Sequence, residues 1–196
     1  MRKQLLKILF GLGMLLSSVG AMAHSGAGAA GGFMAGMMHP VTGLDHVTAM
    51  VAVGIIGAFM GQPAIWVLPV VFPLVMAFGG ILGVLGVPVP AIEPGIALSS
   101  IVLGAMIVMA VRPSLWIAAL IVAVFAIFHG YAHGTELPQS ANALAFSAGF
   151  VISTGILHLA GIGIGELIRW PTGKVVARAI GGLIALAGVG FLTGVL

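Results

Sequence analysis

The stretch HPVTGLDHVTAMVAVGIIGAFM, residues 39 to 60, brings ionisable side chains to the mouth of a long apolar run. His39, Asp45 and His46 come first, and no polar side chain follows from residue 49 to residue 60. Such a run is typical of a membrane-spanning helix, and an ionisable group inside lipid is costly enough to indicate function. The stretch therefore predicts a membrane helix with a functional site at its start.

A second polar stretch, FHGYAHGTELP at residues 128 to 138, carries His129, His133 and Glu136. On one continuous helix these three residues would lie at i, i+4 and i+7, within a stripe about 60° wide. Two imidazoles and a carboxylate would then point in the same direction. The two stretches together predict a single site made of histidine and carboxylate groups.

The composition sets the class of protein. Hydrophobic residues make up 61% of the chain and charged residues 6%, and the mean hydropathy is +1.27, which indicates a multi-pass membrane protein whose main partner is the lipid bilayer. The net charge is only +3, and three of the seven basic residues are Arg2, Lys3 and Lys7. That distribution leaves no basic patch for nucleic acid. Because the chain has no cysteine, a metal would have to bind histidine, carboxylate, methionine or backbone oxygen.

The N-terminus looks like a targeting segment. Residues 1–23 have a basic start, a short apolar run and an Ala-Met-Ala end, which predicts a cleavable signal peptide. Cleavage there would make His24 the first residue of the mature chain, and an uncleaved signal anchor is the alternative. Residues 24–42 are rich in glycine and alanine and are predicted to form a flexible periplasmic arm.

Residues 43–196 are predicted to be one all-α membrane domain of six transmembrane helices. Six apolar runs each approach the length of about 20 residues that a bilayer core requires. The predicted spans are 43–61, 64–85, 94–111, 115–135, 142–163 and 174–195. Turn residues or charges mark the breaks between them.

The basic residues predict how these helices are oriented. With the N-terminus outside, Arg112, Arg169, Lys174 and Arg178 all fall on the cytoplasmic side, as the positive-inside rule requires. The two histidine stretches then both lie at the outer face of the membrane. The sequence therefore predicts that they converge at one outward-facing site.

Three further residues are weaker candidates for metal binding. They are His158, Glu93 and His24. A lone membrane histidine often bonds to a neighbouring helix, and Glu93 also fits a carboxylate placed at a helix start. Asp45 has the same alternative role beside Thr42.

The motifs resemble a known family. HPVTGLDHVTAMVAVG, FHGYAHGTELP and FSAGFVISTGILHLAGIGIG are similar to three signature stretches of the HupE/UreJ family, membrane proteins associated with hydrogenase and urease maturation. The resemblance implies a nickel permease of the bacterial inner membrane that supplies cytoplasmic nickel chaperones. It also implies a metal path, with His158 a weaker member, through His39, Asp45, His46, His129, His133 and Glu136.

The chemistry of the residues leaves several alternatives open. Imidazole and carboxylate suit nickel, cobalt, zinc or copper(II), so cobalt is an alternative cargo, and no tightly bound cofactor is expected. A membrane-embedded metal enzyme, a haem electron carrier and a proton-coupled transporter are further alternatives. The chain contains neither HExxH nor GxSxG nor a Walker A motif, which favours transport over catalysis.

Overall fold

The computed structural model describes residues 29–135 and 142–196, and within these ranges the chain is helical and has no strand. Seven α-helices and one 3-10 turn follow one another. They are α1 (Ala29–Thr42), α2 (Leu44–Met60), α3 (Ala64–Val84), α4 (Ile92–Met109), α5 (Leu115–Thr135), α6 (Ala143–Glu166), the 3-10 turn Leu167–Arg169 and α7 (Pro171–Thr193).

Five helices, α3 to α7, are long and apolar enough to cross a membrane. A sixth span is possible if α1 and α2, which meet at a bend of 79°, act as one broken span. These results confirm the predicted all-α membrane class. The predicted number of six spans is reached when α1 and α2 are counted together as one span. The predicted signal peptide, residues 1–23, lies outside the described part of the chain.

Helix α1 corrects one prediction. Residues 29–42 were expected to belong to a flexible arm, but they form a helix that packs along α6. Gly36 lies directly against the backbone carbonyl of Phe146, where a side chain would not fit. Close backbone approach of this kind is a common way for membrane helices to associate. The prediction of a flexible arm is therefore wrong for residues 29–42.

Helix α2 forms the centre of the bundle. Eleven of its 17 residues are buried, and it contacts α3, α4, α6 and α7. Met50, Val53 and Ile56 are among the core residues it contributes. Because its neighbours shield α2, the polar residues at its start face protein instead of lipid, which lowers the cost of placing them in a membrane.

Helices α3 and α5 pack closely, and two glycines on α5 lie in the contact. A Cβ at Gly130 would collide with the carbonyl oxygen of Met76, and one at Gly134 would collide with that of Gly80. Each glycine directly follows one of the two α5 histidines. The contact therefore fixes both the position of α5 and the direction in which its histidines point.

This close contact can be tested by substitution. Gly130→Ala should lower the thermal unfolding midpoint of the purified protein, because overpacking of a tight interface costs about 1–3 kcal/mol. Gly155→Ala is the matched control, since nothing lies within 4 Å of a Cβ placed at Gly155. Equal midpoints for the two variants would contradict the packing described for α3 and α5.

Candidate metal site

A break between α1 and α2 brings two histidines to the same place. Gly43 separates the helices in an extended conformation, with φ −92° and ψ 110°, and the chain bends by 79° there. His39 lies in the last turn of α1, and His46 lies in the first two turns of α2. The bend directs both side chains towards His133 of α5.

Four imidazole rings form a continuous row. Nε2 of His39 lies 2.9 Å from Nδ1 of His133, within hydrogen-bonding distance. The ring centroids of His133 and His46 are 4.2 Å apart, and those of His46 and His129 are 4.8 Å apart. The row runs from His39, which is partly exposed, to His129, which is fully buried.

Asp45 fixes the proton of His46. Its Oδ1 atom accepts hydrogen bonds from the backbone N–H of His46 at 2.9 Å and from Nδ1 of the same residue at 2.8 Å. A carboxylate oxygen can only accept, so Nδ1 carries the proton. In the neutral ring, Nε2 of His46 therefore holds a free lone pair.

Ser99 fixes the proton of His129 in a similar way. The Ser99 hydroxyl donates to the carbonyl oxygen of Ile96 at 2.6 Å, so its only proton is committed to that bond. The contact of 2.9 Å between Ser99 Oγ and His129 Nε2 must then be donated by the imidazole. Nδ1 of neutral His129 is left with the lone pair.

The nitrogens that carry these lone pairs are buried and have no hydrogen-bond partner within the described residues. They are His46 Nε2 and His129 Nδ1. An unpartnered buried acceptor costs about 1–3 kcal/mol, so such an atom needs an explanation. Metal-binding histidines typically donate their other N–H to a carboxylate or another fixed acceptor, which is the arrangement seen for both residues. Both atoms are chemically suited to a transition-metal cation.

The cluster is not a closed cage. Across residues 29–135 and 142–196, no group of three or more histidine, aspartate or glutamate side chains has the geometry of a metal site. The donor atoms are instead spread along the row from His39 to His129. Metal binding by the predicted ligands therefore stays a prediction.

A deeper histidine lies beyond this row. His158 of α6 is buried, and its Nδ1 donates to the carbonyl oxygen of Met50 on α2 at 2.9 Å. Its Nε2 atom and the hydroxyl of Thr154, one turn earlier, are buried without a partner among the described residues. The ring centroid of Phe72 lies 5.7 Å from that of His129 and 5.5 Å from that of His158. Phe72 therefore contacts both the buried end of the row and His158.

The structure brings together most of the residues predicted for the site. They are His39, Asp45, His46, His129 and His133. Glu93 is exposed in the first turn of α4. Glu136 and His24 lie outside the described residues, so the structure does not bear on them.

Sequence reasoning missed two neighbours of the cluster, Ser99 and Phe72. The adjacent serines Ser99 and Ser100 are the one sequence signal that could have pointed here, because two hydroxyls interrupt an apolar span. Ser100 bonds to Thr48 of α2 at 2.8 Å instead of to a histidine. Phe72 has no comparable signal, since phenylalanine is ordinary in a membrane helix.

The fold and the cluster define a multi-pass helical membrane protein with a buried histidine row. Comparison with known proteins places the chain in a family. The family model described as "HupE / UreJ protein" matches residues 12–191. "Protein HupE" of Rhizobium leguminosarum bv. viciae is 45% identical over 175 residues, which cover 89% of this chain and 92% of that relative. No solved structure matches the chain. The chain belongs to the HupE/UreJ family.

The proposed proton positions can be tested by nitrogen NMR of protein labelled with 15N-histidine. His129 should carry its proton on Nε2. Ser99→Ala should let the ring populate both tautomers, because a hydrogen bond worth about 1 kcal/mol is lost. The matched control is Ser100→Ala, whose hydroxyl bonds to Thr48 and whose loss should leave His129 unchanged. A His129 proton on Nδ1 in the unsubstituted protein would refute the assignment.

Proposed function

We propose that this protein is a permease that carries a divalent transition-metal ion into the cytoplasm. Nickel is the expected cargo and cobalt the alternative. The observation that carries the proposal is the row of oriented imidazoles, in which His46 and His129 each present a buried lone pair. Imidazole nitrogen with a nearby carboxylate suits nickel and cobalt, whereas magnesium and calcium prefer oxygen ligands.

The open arrangement of the ligands supports transport over storage or catalysis. A permeating ion must bind well enough to enter and weakly enough to leave, often at several sites in turn. A row of single donors meets that need better than a closed cage would. The side chain of Asp45 is 29% exposed, so it can attract a cation at the entrance while it orients His46.

The row also extends into the bundle. From His129, the contact through Phe72 leads to His158, whose Nε2 has a lone pair because Nδ1 donates to a carbonyl oxygen. Thr154 adds a hydroxyl one turn away. We assign His158 and Thr154 as a second binding position for the ion. It lies next to the ring of Phe72, which also contacts His129.

The charges of the bundle support inward movement. The histidine row lies at the start of α2, and the basic residues cluster at its other end, near Phe59. By the positive-inside rule, the basic end is cytoplasmic and the histidine row faces outward. A divalent cation moving inward down about 100 mV gains about 4.6 kcal/mol. That free energy supports a metal concentration about a thousandfold higher inside the cell than outside, without ATP hydrolysis.

Family membership supports the biological role. The HupE/UreJ resemblance implies that the imported nickel serves hydrogenase or urease maturation, with cytoplasmic nickel chaperones as receivers. The same resemblance implies residence in the inner membrane with the mature N-terminus in the periplasm. It also implies that Glu136 takes part in the metal path.

Metal accumulation in cells tests the proposal. Cells that lack their own high-affinity nickel uptake should accumulate more nickel when they express this chain, with cobalt and zinc measured in parallel. His46→Ala, His129→Ala and Asp45→Asn should each lower uptake at limiting metal by about ten- to hundredfold, since a ligand or its orienting partner is lost.

Gly155→Ala serves as the expression-matched control and should transport normally, because a Cβ at this position meets no neighbour. Normal uptake by the two histidine variants, at equal amounts of protein in the membrane, would refute the mechanism.

A further inference from the structure

A second polar feature lies at the opposite end of the bundle from the histidine row. A cavity of about 430 Å3 opens beside Phe59, near the end of α2. Its lining includes all four lysine and arginine residues of the described ranges, 29–135 and 142–196. They are Arg112, Arg169, Lys174 and Arg178.

This clustering goes beyond what membrane orientation requires. The positive-inside rule explains why basic residues lie on one side of the membrane, but not why they line one cavity. Arg112 lies between α4 and α5, Arg169 ends the 3-10 turn, and Lys174 lies in α7. Three separate parts of the chain therefore place cations around one cavity, and like charges that share a cavity repel one another.

One carboxylate offsets part of this charge. Glu166 forms an ion pair with Arg169, three residues later in the chain. Of the acidic residues in the described ranges, Asp45 and Glu93 lie at the starts of α2 and α4, away from the cavity. Four positive charges and one negative charge leave a net charge of +3 at the cavity. Such a site favours an anion.

The donors around the cavity suit a phosphate group. Nε of Arg178 donates to the carbonyl oxygen of Val108 at 2.6 Å, which uses one of the five N–H donors of the guanidinium. The rest of its planar fork matches the geometry of phosphate oxygens. The bond to α4 also holds this arginine in place at the cavity.

The start of α7 adds to the positive potential. The helix begins at Pro171 without a side-chain cap and without an acidic residue in its first turn. Uncapped backbone N–H groups and the helix dipole both favour an anion at a helix N-terminus. Lys174 lies one turn into this helix and also lines the cavity. The positive end of the helix dipole therefore lies about one turn from the cavity and adds to the potential of the four cations.

We propose that this cavity binds the phosphate group of an anionic lipid from the cytoplasmic leaflet. Basic pockets between membrane helices on the cytoplasmic side are suited to acidic lipid headgroups. The apolar part of the lining, which includes Phe59 and Ile168, provides contact for the uncharged part of the lipid. Free inorganic phosphate shares the headgroup's chemistry, so the experiment must separate the two.

Thermal unfolding of the full chain in neutral detergent provides the test. Phosphatidylglycerol and cardiolipin should raise the unfolding midpoint, whereas phosphatidylcholine with the same acyl chains should not. Titration of phosphatidylglycerol then gives an apparent affinity. Arg112→Gln and Lys174→Gln should each weaken it by about fivefold, and added salt should weaken it further.

Two further variants distinguish a direct loss of lipid binding from a loss caused by misfolding. Lys174→Arg keeps the charge and should retain binding. Glu166→Gln removes the opposing carboxylate and should strengthen binding, a gain that a damaged fold would not produce. If inorganic phosphate alone reproduces the shift and displaces the lipid, the cavity is a phosphate site and the lipid assignment is overturned. Equal shifts with phosphatidylcholine, or unchanged affinity in both glutamine variants of the cations, would overturn the proposal altogether.

Discussion

Buried imidazoles within an apolar bundle are the constraint on which the rest of this structure depends. His46, His129 and His158 each give one N–H to a fixed acceptor and leave the other ring nitrogen buried without a partner among the described residues. A polar atom left in that state is costly. The fold must therefore hold these rings rigidly and shield them from lipid. The central position of α2 provides the shielding, and the glycines of α5 provide the close packing that holds the rings.

The spans were largely predictable, because a bilayer of fixed thickness leaves little freedom in the length of an apolar helix. Every predicted span lies within a few residues of the corresponding helix. Helix α1 was missed because its three glycines and Pro40 weaken the intrinsic preference of this segment for helix. Its stability depends on packing against α6 through residues such as Gly36. Sequence patterns alone do not reveal that kind of tertiary contact.

The candidate site was predictable only in part. The loop charges were enough to place both histidine stretches on one side of the membrane, and the structure brings them into contact. The partners that orient the rings were not predictable in the same way. Ser99 and the carbonyl oxygen of Met50 act across helix interfaces, and which faces of two helices meet depends on packing throughout the bundle. The contacts of Phe72 with His129 and His158 could not be predicted for the same reason.

The two ends of α2 give the molecule a clear electrical polarity. A cation-attracting group, Asp45, lies at the start of the helix, and a cavity lined by four cations lies near its end. About 20 Å of helix separates His46 from Phe59. In the proposed permease, this distance would keep the positive charges away from an incoming metal ion, and the positive-inside rule would place the basic end in the cytoplasm. The proposed metal entry and the basic cavity therefore lie at opposite ends of the same bundle.

X-ray absorption spectroscopy of the purified protein loaded with nickel tests the central claim most directly. The account predicts a first shell of nitrogen and oxygen atoms, with the outer-shell scattering of at least two imidazole rings. That imidazole scattering should be reduced in His46→Ala. Coordination by methionine sulfur, or a nickel spectrum without any imidazole scattering, would contradict the assignment of the histidine row as the metal path.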